Sequence, residues 1–152
     1  MKLSLSIISV VLLSSLAYAD NLPTTPNAKL TPGIVDNTAT RDKICVSGYT
    51  TTVRNVPEAI KKQVFAEYNI DPKSDKFEID HLISLELGGS NDIKNLWPES
   101  YTTTPLNAHV KDRLENKLHS LVCSGKLDLA IAQKEIATDW VSAYKKYIGD
   151  VK

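Results

Sequence analysis

The stretch Phe77-Glu78-Ile79-Asp80-His81 alternates apolar and polar side chains with the two-residue period of a half-buried strand, and it arrives at an adjacent Asp-His pair. Gly88-Gly89-Ser90-Asn91 follows as a turn, and Ile93 to Trp97 reads as a second strand stopped by Pro98. This strand-turn-strand constrains the fold more than any other segment, because helical patterns flank it on both sides. Before it, Ile60, Val64 and Tyr68 recur at i, i+4 and i+8; after it, Val110, Leu114, Leu118, Leu121 and Val122 keep a helical spacing. The arrangement predicts one small α+β domain.

A chain of 152 residues has room for one domain with a real core and not for two ordinary ones. Met1-Lys2-Leu3 opens it with one positive charge, an apolar run extends from Leu3 to Leu16, and Ala17-Tyr18-Ala19 supplies a small-x-small cleavage pattern. This predicts a signal peptide over residues 1–19, with Asp20 the first mature residue and export to the periplasm or the medium. The run is short of the ~20 apolar residues that a membrane span needs.

Losing Lys2 takes the 18 basic residues to 17, against 18 acidic ones, so the mature net charge is near −1. Nonspecific affinity for nucleic acid comes mostly from neutralised phosphates, so a partner of that kind would need a local basic face. Cys45 and Cys123 are the only cysteines, and no Cys-x-x-Cys spacing exists for a zinc knuckle. In an exported protein an even pair favours one bridge over two buried thiols. Closing a loop of this length stabilises a fold by ~3–5 kcal/mol in the chain-entropy model.

In chain order, residues 20–43 are rich in Thr, Pro and Asn and read as an extended arm, with a domain following over 44–152. Ile44 to Val53 has β-like content around Gly48. Pro57 suits the first position of a helix that Asn69 and Ile70-Asp71-Pro72 end. Thr104 suits the N-cap of the next helix, with Pro105 at its first position, and Ser124-Gly125 suits its stop. Asp128 suits the cap of a last helix whose Leu129, Ala132, Ile136, Trp140 and Tyr144 share a face. The expected order is arm, strand, helix, strand-turn-strand, helix, helix.

The series Asp80-His81-(x)3-Leu85-(x)2-Gly88-Gly89-(x)5-Asn95-Leu96 resembles the HNH endonuclease signature of the ββα-metal superfamily. The matching residues run over 77–116, within a ββα core of about 77–122. Ile44-Cys45-Val46-Ser47-Gly48-Tyr49 and Val122-Cys123-Ser124-Gly125 also resemble small exported HNH-like proteins of bacteria and phages. The resemblance implies metal-assisted hydrolysis of DNA, with RNA as an alternative substrate. It departs from the family pattern at Ser84, where Pro is common.

Such chemistry needs a water deprotonated near neutral pH, and His is the side chain that titrates there. It also needs a cation to neutralise charge on the phosphate and leaving oxygen. By resemblance His81 is the general base, Asp80 a metal ligand, and Asn95 the residue that holds the loop and the His in place. His109 and Asn107 are alternative ligands from the helix; two residues apart, they lie about 200° round it, so only one points in. Lys111 and Arg113, beside the helix start, are candidates for phosphate. One divalent ion is expected, Mg²⁺ first and Mn²⁺ or Zn²⁺ as alternatives. Strand neighbours point to opposite faces, so Asp80 and His81 can share a site only where the strand ends or bulges. The competing expectation is a catalytically inactive HNH-like module that binds nucleic acid or protein in the envelope.

Overall fold

The alternating segment forms strand β1, Phe77–His81, which pairs antiparallel with β2, Leu96–Ser100, in a register running from Phe77↔Ser100 to His81↔Leu96. The computed structural model describes residues 23–151, so the expected signal peptide lies outside the described residues. Among the described residues five helices stand around the two-stranded sheet: α1 Arg41–Ile44, α2 Tyr49–Val53, α3 Glu58–Glu67, α4 Ala108–Cys123 and α5 Leu129–Tyr147. The result is a small α+β domain. No helix among the described residues is long and apolar enough to cross a membrane.

Most of the apolar core lies between α4 and α5. Val110, Leu114, Leu118 and Val122 form the buried stripe of α4, and they meet Ala132, Ile136, Trp140, Ala143 and Tyr144 of α5. The expected face of α5 is therefore present, although the helix is interrupted at Asp139 (φ −162°, ψ 92°). The Asp139 carboxylate recaps the chain there by accepting from the Val141 and Ser142 amides. Asp128 caps the start of α5 as expected, accepting from the amides of Ala130 and Ile131. Ile44, Ile83 and Leu87 extend the core beneath the loop between the strands.

Several local expectations fail. Ile44 to Val53 is not a strand but the end of α1, a turn and α2. Gly48 adopts φ 81° as the N-cap of α2, so the chain reverses there, and β propensity, a weak preference that packing overrides, does not decide Thr50–Thr52. The second strand starts at Leu96 and continues through Pro98 to Ser100. Pro98 is tolerated because a two-stranded sheet leaves every strand with a free edge that needs no donor. Pro57 is the N-cap of α3 rather than its first residue. Helix α4 begins after Asn107, not at Pro105, and the Asn107 side chain accepts from the Val110 amide as its cap.

The described part of the expected arm is stitched to the domain. Val35 bridges Gly89, the Gly33 amide donates to the Lys94 carbonyl, and the Thr31 hydroxyl donates to the Leu96 carbonyl. At its start, the Trp140 indole N–H donates to the Thr24 carbonyl. The opposite side is held by the Cys45–Cys123 disulfide, which joins the residue after α1 to the end of α4 across a sequence separation of 78.

Candidate functional site

Strand β1 stops at His81, and this ending decides the geometry of the Asp-His pair. Side chains alternate faces along a strand, yet Asp80 and His81 line one cavity of about 170 Å³ together with Arg54, Glu78, Asp112 and Glu115. His81 also lines a larger cleft of about 610 Å³ with Arg54, Asn55, Lys61 and Glu78.

The loop after His81 is held by Asn95, which is fully buried. Its Oδ1 accepts from the Ile83 amide at 3.0 Å and the Ile34 amide at 3.3 Å, while its Nδ2 donates to the carbonyls of Ile83 and Ser90. One side chain thus ties the start of the loop, its end and the arm together. The two glycines are required for the same closure. Gly88 has φ 73°, and a Cβ there would lie 2.6 Å from the Ala39 Cβ; a Cβ on Gly89 would fall 1.7 Å from the Ile83 carbonyl oxygen. Ser84, the departure from the family pattern, is buried and accepts from the Glu86 amide as the cap of the 3₁₀ turn Leu85–Leu87.

The orientation of His81 comes from Asn91, which sequence reading treats only as a turn residue. The Asn91 Nδ2 donates to the Val53 carbonyl, so its Oδ1 is the acceptor that faces His81 Nε2 at 3.1 Å. Nε2 therefore carries the proton, and Nδ1 is left as the basic atom of the ring. Burial, partly offset by Asn91 and Asp80, holds the imidazole below its ordinary value of 6.5. The spacing of ten residues from His81 to Asn91 gives no sequence signal for this contact.

The other feature the sequence conceals is an ionic cluster between the sheet and α4. Lys111 is 0 % exposed. Its Nζ donates to Asp80 Oδ2 at 2.5 Å, to the His81 carbonyl at 2.9 Å and to Glu115 Oε1. Burial alone would depress this ammonium, but the carboxylates of Asp80, Glu115 and Glu99 hold it above its ordinary value. Burial also works against the charge on Asp80, yet Lys111 keeps that carboxyl below its ordinary value. The other acids go the opposite way: burial pushes Glu99 up to about 10 and Glu115 up to about 7. Glu78, Asp80 and Glu99 each bring one carboxylate oxygen within 4.8 Å of the others, a spacing able to hold a cation.

The expected helix residues fall elsewhere. Asn107 spends its side chain on the α4 cap and on donating to the Thr103 carbonyl. His109 is exposed and lies against Tyr101, with ring centroids 5.6 Å apart. Arg113 stacks over Tyr144 of α5. Lys111, expected to meet phosphate, has its three N–H groups occupied inside the fold. Two basic side chains do line the cleft with His81, namely Arg54 and Lys61. His119 is half-buried, with Nε2 3.1 Å from the Ile44 carbonyl oxygen and 3.3 Å from the Cys123 sulfur. Comparison with protein-family models, with curated proteins and with solved structures found no match to this chain.

Proposed function

We propose that this protein is an exported HNH-type endonuclease whose ββα core is β1, β2 and α4, and that it hydrolyses phosphodiester bonds of DNA with the help of one divalent cation. The observation that carries the reading is a buried His at the end of β1, beside Asp80, with its tautomer fixed by Asn91 and its ring bordering an open cleft. A base so fixed accepts a proton on Nδ1, and a depressed imidazole is neutral and ready to do so at neutral pH. Arg54 and Lys61 line the same cleft and supply positive charge to a phosphate backbone. A divalent ion beside Asp80 would neutralise charge on the scissile phosphate and on the leaving oxygen. Asn95 acts through the loop: its hydrogen bonds keep the turn closed behind His81. The Cys45–Cys123 bridge suits an oxidising compartment.

One observation favours the alternative, an inactive module that binds nucleic acid or protein. Lys111 takes one oxygen of Asp80, which weakens that carboxylate as a ligand. Supercoiled-plasmid cleavage separates the two. The oxidised protein, stripped with EDTA and resupplied with Mg²⁺ or Mn²⁺, is expected to nick plasmid, and His81→Ala to lose on the order of 10²–10⁴-fold in rate while still folded at the assay temperature. Plasmid binding without cleavage in either protein would establish the inactive module instead.

A further inference from the structure

Three carboxylates share one face of the β1–β2 ribbon. Glu78 and Glu99 are direct cross-strand partners, and Asp80 is the next residue of β1 on that face. Like charges directly opposite one another destabilise a sheet, and Glu99, 2 % exposed, avoids that repulsion in the cation-free fold by keeping its proton beside Asp80. Lys111 answers only part of the problem. Its donors go to Asp80, Glu115 and the His81 carbonyl, and none reaches Glu78 or Glu99. One ammonium therefore sits among four carboxyl groups, Glu78, Asp80, Glu99 and Glu115, too little positive charge for all four to ionise.

Independently of that imbalance, Glu99 Oε1 is buried with no hydrogen-bond partner. Buried polar atoms are almost always satisfied, and an orphan among them calls for a missing ligand. Asp80 keeps 19 % of its side-chain surface exposed, and Lys111 engages only its Oδ2. We propose that Glu78, Asp80 and Glu99 form a divalent-cation site, built on the sheet, for a hard oxygen-preferring ion such as Mg²⁺ or Mn²⁺. An all-carboxylate set with neither sulfur nor imidazole selects that class of ion. The ion brings two positive charges to the cluster and gives the orphaned oxygen a partner. His109 and Asn107 of α4 are not among its ligands. That this ion serves cleavage rests on the nuclease reading; its binding does not.

The test is a Mn²⁺ titration of the oxidised protein, following free Mn²⁺ by electron paramagnetic resonance. One saturable site is expected. Glu99→Gln and Asp80→Asn should weaken it on the order of tenfold or more, the least that loss of even an outer-sphere partner costs a metal site. His109→Ala should bind as the unmodified chain does. Glu78→Gln, at the more exposed member, carries the test if Glu99→Gln does not fold. No saturable binding, or full affinity in folded Glu99→Gln, would overturn the site. Parallel plasmid assays keep the two ideas apart. Binding without cleavage overturns the nuclease and leaves the site, whereas metal-dependent cleavage with full Mn²⁺ affinity in Glu99→Gln overturns the site and leaves the nuclease.

Discussion

Helix α4 buries two stripes of different chemistry. Val110, Leu114, Leu118 and Val122 pack against α5, while Lys111 and Glu115, one residue on from Val110 and Leu114, turn beneath the sheet. The apolar stripe is a matter of area removed from water and tolerates imperfect partners. The polar stripe is not tolerant, because a buried charge without its partner costs several kcal/mol. A helix with both is legible from one side only. Hydrophobic spacing reveals the apolar stripe, whereas the sequence offers Lys111 as a phosphate contact and gives no sign that Lys111 and Glu115 are buried beneath the sheet.

Substitutions on the two stripes sharpen that contrast. The largest expected effect is Lys111→Met, which leaves Asp80, Glu99 and Glu115 facing one another; a loss of ~3–5 kcal/mol is expected in urea denaturation near neutral pH with metal chelated. A loss below ~1 kcal/mol would mean that the carboxylates are neutralised by something other than Lys111. Leu114→Ala, at a position 0 % exposed, should cost ~2–5 kcal/mol, without the pH sensitivity of the polar stripe. Cap removal by Asn107→Ala should cost only ~1 kcal/mol, and if Asn107 has no ligand role it should leave Mn²⁺ affinity alone.

A slope with pH tests the polar stripe without any substitution. Glu99 is raised to about 10 in the fold from an ordinary 4.5, so its contribution is complete below pH 4.5 and is lost as the pH climbs towards 10. Above pH 7 the depressed His81 is neutral in both states and Asp80 is ionised in both, so neither opposes this trend. With EDTA present, the melting temperature should therefore fall between about pH 7 and pH 9, and Glu99→Gln should flatten the fall. A level profile in the unmodified chain would remove the protonated Glu99 from the account.

The local signals that hold in the fold are those in which a side chain acts on its own neighbours. The period of two into Asp80-His81, the Gly88-Gly89 turn, the Asp128 cap and the spacing of the α4 and α5 faces all depend on a few adjacent residues. Where the chain reads ambiguously, packing wins. Ile44 to Val53 carries β-favouring residues and forms helical turns, and Thr104-Pro105 carries the start signal that Asn107 delivers instead. At the candidate site, His81, Asp80 and Asn95 stand out in the sequence because they sit in one short segment. The roles of Asn91, Glu99, Arg54 and Lys111 are not legible there, because each depends on a partner reached through the fold.

The sequence by itself determined a mixed α+β chain with a strand ending at an Asp-His pair, a glycine loop behind it and two cysteines apt to bridge. Only the tertiary structure decided which strand residues face one another, and with that the register that sets Glu78 opposite Glu99 and brings Lys111 under Asp80. The physical reason is range. Propensity, periodicity and capping act over a few residues, whereas cross-strand and helix-to-sheet contacts join positions whose separation in sequence carries no trace of their distance in space.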